Sequence, residues 1–117
     1  MRSFLFFFYV LDQCYDQCKE DDLGGLLGAI SPELREDGLP MDMAIFNAWR
    51  EKNGNKNINR QNILNLSYDF LEEYEKRFGF KFTKTKWILM HSFSNMMLDQ
   101  AIEKAEMLYQ KNNYIVE

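Results

Sequence analysis

The run FLFFFYVL, Phe4 to Leu11, sets eight apolar residues side by side near the start of the chain. It follows Arg2, as the apolar region of a secretory leader would. What comes next is DQCYDQCKEDD, which supplies charge and no small-residue cleavage site. Eight apolar residues also fall far short of the ~20 that a bilayer-spanning helix needs. The run therefore reads as the opening of a buried helix over about residues 2 to 19. Leu5, Phe8, Tyr15 and Cys18 fall on one stripe of that helix, and Phe4, Phe7, Leu11 and Cys14 on the adjoining one. So wide an apolar face places the helix at the centre of a fold, with other elements covering it.

The remaining segments supply those elements. Asp21 or Asp22 is expected to cap a short second helix, Leu23 to Ile30, by accepting from first-turn amides. Three glycines inside it, Gly24, Gly25 and Gly28, cost ~1 kcal/mol each against alanine, which close approach by another helix would explain. EDGLP, Glu36 to Pro40, is turn chemistry, because glycine accepts positive φ and Pro40 holds its predecessor extended. Asp42 caps a third helix to about Lys52, with Phe46 and Trp49 on its inner face. The asparagine-rich stretch Asn53 to Asn62 reads as a solvated connector.

From Asn59 a fourth helix reaches Phe78 through Ile63, Leu66, Phe70 and Tyr74, and Gly79 ends it in the left-handed position. FKFTKTK is a short extended link with Thr83 or Thr85 as cap. A single last helix, about Thr85 to Lys111, carries Trp87, Met90, Ser94, Met97 and Ala101 on one stripe. The closing NNYIVE is expected to fray or to add one short docked strand. A chain of 117 residues, 46% apolar and 15% aromatic, is long enough for one core and too short for two. The expected fold is an all-α, single-domain bundle of four or five helices, with the glycine and aspartate segment packed across one end. Its core takes in Phe7, Leu11, Leu26, Phe46, Trp49, Leu66, Phe70, Trp87, Phe93, Met97 and Ile102.

Several chemistries are poorly served by these residues. The glycine segment has no lysine to meet a phosphate and no preceding strand, so neither a Walker loop nor a dinucleotide fingerprint is present. Asp21, Asp22, Glu33, Glu36, Asp37 and Asp42 could converge on a hard cation, but the ordered calcium loop is absent, and helix capping plus solvated surface explains them. Cys14 and Cys18 lie four apart on a helix and would need His91 and a further ligand to make a zinc site. His91 would also have to serve as base for any nucleophile among Cys14, Cys18, Ser92 and Ser94, and its setting between Met90 and Phe93 fits a packed histidine. No catalytic residues, metal site or cofactor are assigned. KRFGFKFTKTK, Lys76 to Lys86, has five bases, no acids and three phenylalanines. It resembles a nucleic-acid surface, although core anchoring explains its Phe78, Phe80 and Phe82 equally well.

Charge is distributed unevenly. Residues 1–50 hold nine acids and four bases, and residues 51–117 hold nine acids and ten bases. The acidic excess at the front repels nucleic acid and favours basic protein partners. With two cysteines and no oxidising signature, a cytoplasmic setting fits, with no membrane association.

The string DDLGGLLGAISPELREDGLPMDMAIFNAW, Asp21 to Trp49, resembles a segment of small uncharacterised bacterial all-helical proteins. It carries an acidic pair, L-G-x-L-L-G, a serine-led turn, D-G-x-P-x-D and a tryptophan, over about a quarter of the chain. Such short acidic proteins are often similar to immunity proteins that neutralise toxins, and the resemblance brings no catalytic residues with it. The expected function is non-enzymatic protein binding, of immunity type. Asp21, Asp22, Glu36, Asp37 and Asp42 would form one exposed face against a basic toxin. The alternatives are a homodimeric interaction protein that uses an exposed Phe and Met face, and a metal-dependent enzyme built on Cys14, Cys18 and His91 or on the acidic loop.

Overall fold

The computed structural model describes residues 1–112, and the tail at residues 113–117, where a frayed end or docked strand was expected, lies outside them. Six helices follow in order: α1 (Arg2–Cys18), α2 (Asp21–Ile30), α3 (Met43–Asn53), α4 (Ile63–Phe78), α5 (Thr83–His91) and α6 (Asn95–Asn112). There is no strand among the described residues. The fold is all-α, as expected, with six helices among the described residues where four or five were anticipated.

Helix α1 is the axis of the molecule and packs against each of the other five. Every residue from Phe4 to Leu11 is buried, together with Cys14. Enclosure of that run organises the core. The Phe7 ring stacks on Trp49 of α3 at 4.3 Å and meets Phe70 of α4 edge-on at 5.1 Å, while Phe4 meets Phe46 edge-on at 5.0 Å. Each such ring contributes about 1.5–3 kcal/mol through burial alone. The one polar atom of Trp49 is satisfied, because its indole N–H donates to the Ser3 hydroxyl at 3.1 Å.

Local chemistry sets the helix ends. α1 stops at Lys19, which adopts the left-handed conformation at φ 50°, and Glu20 then leads directly into α2. Asp42 caps α3 as expected, accepting from the Ala44 and Ile45 amides, and Gly79 ends α4 at φ 75°. Gly38 takes φ 74° in the turn between α2 and α3, and the Asp42 amide donates back to the Ala29 carbonyl at 2.9 Å, which fastens that turn to the end of α2. The asparagine stretch is more than a connector. Asn59 Oδ1 accepts from the Gln61 and Asn62 amides, and Asn62 returns bonds to Asn57 and Asn59, so the loop knits itself into the cap of α4.

Three local expectations are corrected. The single last helix is two, because the chain breaks at Ser92–Ser94 and the Ser94 hydroxyl accepts from the Met97 amide at 3.2 Å as the cap of α6. The break changes the phase of the inward stripe: α5 buries Thr85, Ile88 and Leu89, and α6 buries Leu98, Ala101 and Ala105. Trp87 is consequently turned out of the core and is 59% exposed, while Leu66, Phe93, Met97 and Ile102 pack only partly buried at its edge. Lastly, close approach accounts for Gly24 alone, where a Cβ would come within 3.0 Å of the Tyr15 ring. Gly25 and Gly28 have open space at that position, and nothing in the structure explains them.

Candidate functional site

The five carboxylates expected to share one face belong to two groups at opposite ends of α2. Asp21 and Asp22 occupy its first turn, whereas Asp42 is bonded to Ala29 near its last, about 10 Å further along the helix axis. Glu36 and Asp37 lie in the turn that follows α2. Three of the five are engaged within the chain. Asp22 accepts from the Lys81 amide at 2.6 Å, and Asp42 caps α3. Asp37 accepts from the Leu39 amide at 3.0 Å and pairs with Arg35 at 2.7 Å. The Leu39 amide first, and the Arg35 guanidinium with it, hold the Asp37 carboxyl below its ordinary range. Asp21 and Glu36 are exposed.

Carboxylates of the acidic front accept from backbone amides of the basic stretch that runs from the end of α4 into α5. α5 begins without a side-chain cap of its own, and neither Thr83 nor Thr85 provides one. Glu20 does so from the corner between α1 and α2, accepting from the Lys84 amide at 3.0 Å, the Thr85 amide at 2.9 Å and the Thr85 hydroxyl at 2.8 Å. Thr85 sits in the first turn of α5 with its side chain fully buried, a place from which it can donate to Glu20. Glu75 of α4 accepts from the Phe82 amide at 2.7 Å and from the Lys86 ammonium, and that hydrogen bond leads in pushing the Lys86 pKa up. Lys76 and Arg77 also face Glu72 and Glu73 across one turn of α4. Much of the charge in KRFGFKFTKTK is thus compensated locally. Phe82 alone of its three phenylalanines anchors in the core; Phe78 and Phe80 are 53% and 39% exposed.

The thiols and the histidine take separate environments. Cys14 is buried, and burial first, then Cys18, pushes its pKa far above that of a free thiol, which disables it as a nucleophile. Cys18 is half-buried with its sulfur 3.8 Å from the Thr85 hydroxyl. His91, expected to be packed, is exposed at the end of α5, six residues beyond Thr85 and so about 9 Å along that helix. Among the described residues no group of three or more His, Cys, Asp and Glu side chains gathers as a metal site.

The sequence stripe misplaced the outward face of α5, which it turned into the core. Trp87 and Met90, one turn apart on α5, are 59% and 49% exposed, and the His91 ring lies 5.2 Å from the indole. Met96, just past the corner into α6, is 69% exposed. The signal that could have located this face is Ser94 itself, a helix cap placed where an uninterrupted helix would have no use for one.

No helix among the described residues is long and apolar enough to cross a membrane. Comparison of the chain with protein-family models, with curated proteins and with solved structures finds no match.

Proposed function

We propose that the chain is a non-enzymatic protein-binding module whose contact surface centres on the outward face of α5. The observation that carries this reading is the exposure of Trp87 together with Met90, one turn along α5. Tryptophan and methionine are enriched at protein interfaces, and tryptophan is the residue type most often found as an energetic anchor there. The same chain buries its other tryptophan completely against Phe7 and Phe70, so its core has the means to take in such a ring.

An immunity-type role in the cytoplasm of a bacterium, with a basic toxin as partner, is the specific form that the Asp21–Trp49 resemblance suggests. The chain's net charge of -4 and the exposed carboxylates of Asp21 and Glu36 support it. The test is co-expression of the chain with the product of the adjacent reading frame, followed by co-purification. A complex that survives Asp21→Lys with Glu36→Lys but is lost in Trp87→Ser with Met90→Ser supports binding through α5. A complex indifferent to the α5 pair overturns that surface, and one abolished by the charge reversals alone returns the contact to the acidic residues.

A further inference from the structure

A cleft of about 380 Å³ opens between the first turn of α1, the asparagine loop and α6, on residues that the α5 surface does not use. Its size falls at the small end of the roughly 300–1,000 Å³ typical of small-molecule sites. Two kinds of lining meet there. Phe6, Ile58, Ile102 and Ala105 make an apolar floor, and Arg2, Lys56 and Arg60 bring three cations to the walls against the single carboxylate of Glu106. With Asp99 holding Arg60, the local balance is one positive charge in a protein whose net charge is -4.

The polar groups differ in how far they are committed. Arg2 is held by Glu106 at 2.8 Å and lies over the Tyr109 ring at 4.4 Å, and Arg60 is held by Asp99 at 2.6 Å. These pairs fix two guanidinium groups in place while leaving each with further N–H donors. Lys56 is exposed, its amide bonded to the Asn53 carbonyl, and no carboxylate lies within ion-pair distance of its ammonium among the described residues. The Ser3 oxygen accepts from Trp49, so its own O–H remains as a donor at the cleft wall.

We infer that this cleft binds a small amphipathic monoanion, a carboxylate or sulfonate carried on a compact apolar body. The apolar floor takes the body, Lys56 supplies the uncommitted counter-charge, and Arg2, Arg60 and Ser3 supply oriented donors to the head group. Arg2 and Arg60 are already paired with Glu106 and Asp99, so the cleft has one uncommitted positive charge to offer, which suits a monoanion rather than a nucleotide or nucleic acid.

The probe that fits the description is 8-anilinonaphthalene-1-sulfonate, added to the full chain and followed by its fluorescence. One saturable equivalent is expected, displaced by sodium octanoate and weakened by rising salt. Lys56→Glu and Ile58→Asp, both in the loop and outside any helix, are each expected to weaken binding at least tenfold with the far-UV circular dichroism unchanged. Trp87→Ser is expected to leave it unaltered. Binding that persists in both loop variants, or that disappears with Trp87→Ser, overturns the assignment, as does the absence of a saturable site. The outcome for the cleft is independent of whether α5 contacts a protein.

Discussion

The carboxylate of Glu20 and the residue Thr85, 65 positions apart, are joined twice over: Glu20 Oε1 accepts from the Thr85 backbone amide at 2.9 Å and from its hydroxyl at 2.8 Å. A residue in the α1–α2 corner therefore performs the capping that α5 does not do for itself. The second oxygen of the same carboxylate takes the Lys84 amide, so one side chain satisfies three donors at the positive end of a helix.

Removing that cap exposes its worth. Glu20→Ala is expected to cost about 1–3 kcal/mol, because it strands a fully buried hydroxyl and two first-turn amides. Glu20→Gln, which keeps an acceptor and loses the charge, should fall between it and the natural chain. Urea unfolding of Glu20→Ala, Thr85→Val and the double variant checks the pairing: the two costs should add to distinctly more than the cost of the double variant. Simple additivity would show that the two residues act separately.

The glycines of α2 divide by their surroundings. Gly25 and Gly28 lie inside the helix with open space where a Cβ would go, so alanine at either should stabilise by about 1 kcal/mol, a rise of about 4 °C in Tm. Gly79 is the opposite case, since at φ 75° an alanine is strained and should cost about 1 kcal/mol. Thermal melts of the three single variants provide the comparison. A loss of stability in Gly25→Ala or Gly28→Ala would mean that this face of α2 is covered.

What could be read in the sequence was what depends on near neighbours. The Phe4–Leu11 run forces a central helix, Asp42 caps the segment beside it, and Gly79 ends the helix before it, each through contacts a few residues long. The α5–α6 corner is not legible because Trp87, Met90, Ser94 and Met97 continue an acceptable helical stripe through it, and periodicity alone does not register a change of phase. The role of Glu20 is hidden for a different reason: its partners lie 64 and 65 residues away, and adjacent Asp21 and Asp22 offer a nearer helix to cap. The two-sided cleft was likewise invisible, since its cations and its floor come from three separate stretches of chain.

The cysteines should differ sharply in reactivity. Cys14 is buried beneath α1's neighbours with its thiol held protonated, whereas Cys18 is half-buried near the chain corner. With a disulfide reagent at pH 8, one equivalent is expected to react in the folded protein and the second only once urea unfolds it. Rapid reaction of both would show that the α1–α2 corner opens readily.

Asp12 gives the molecule a pH dependence whose sign can be worked out. It is half-buried on α1, and burial first, with Asp16 and Glu33 adding to it, raises its pKa against the pull of Lys104 and Lys19. A carboxyl whose pKa is higher folded than unfolded holds its proton more tightly in the folded state. Its contribution is therefore fully present below the unfolded value, near 3.9, and is lost as pH rises through the folded value. Asp12→Asn stays neutral at every pH and escapes that loss. Its Tm should exceed that of the natural chain at pH 7 and match it at pH 3. A lower Tm at pH 7 would mean that attraction to Lys104 outweighs the cost of burying the charge.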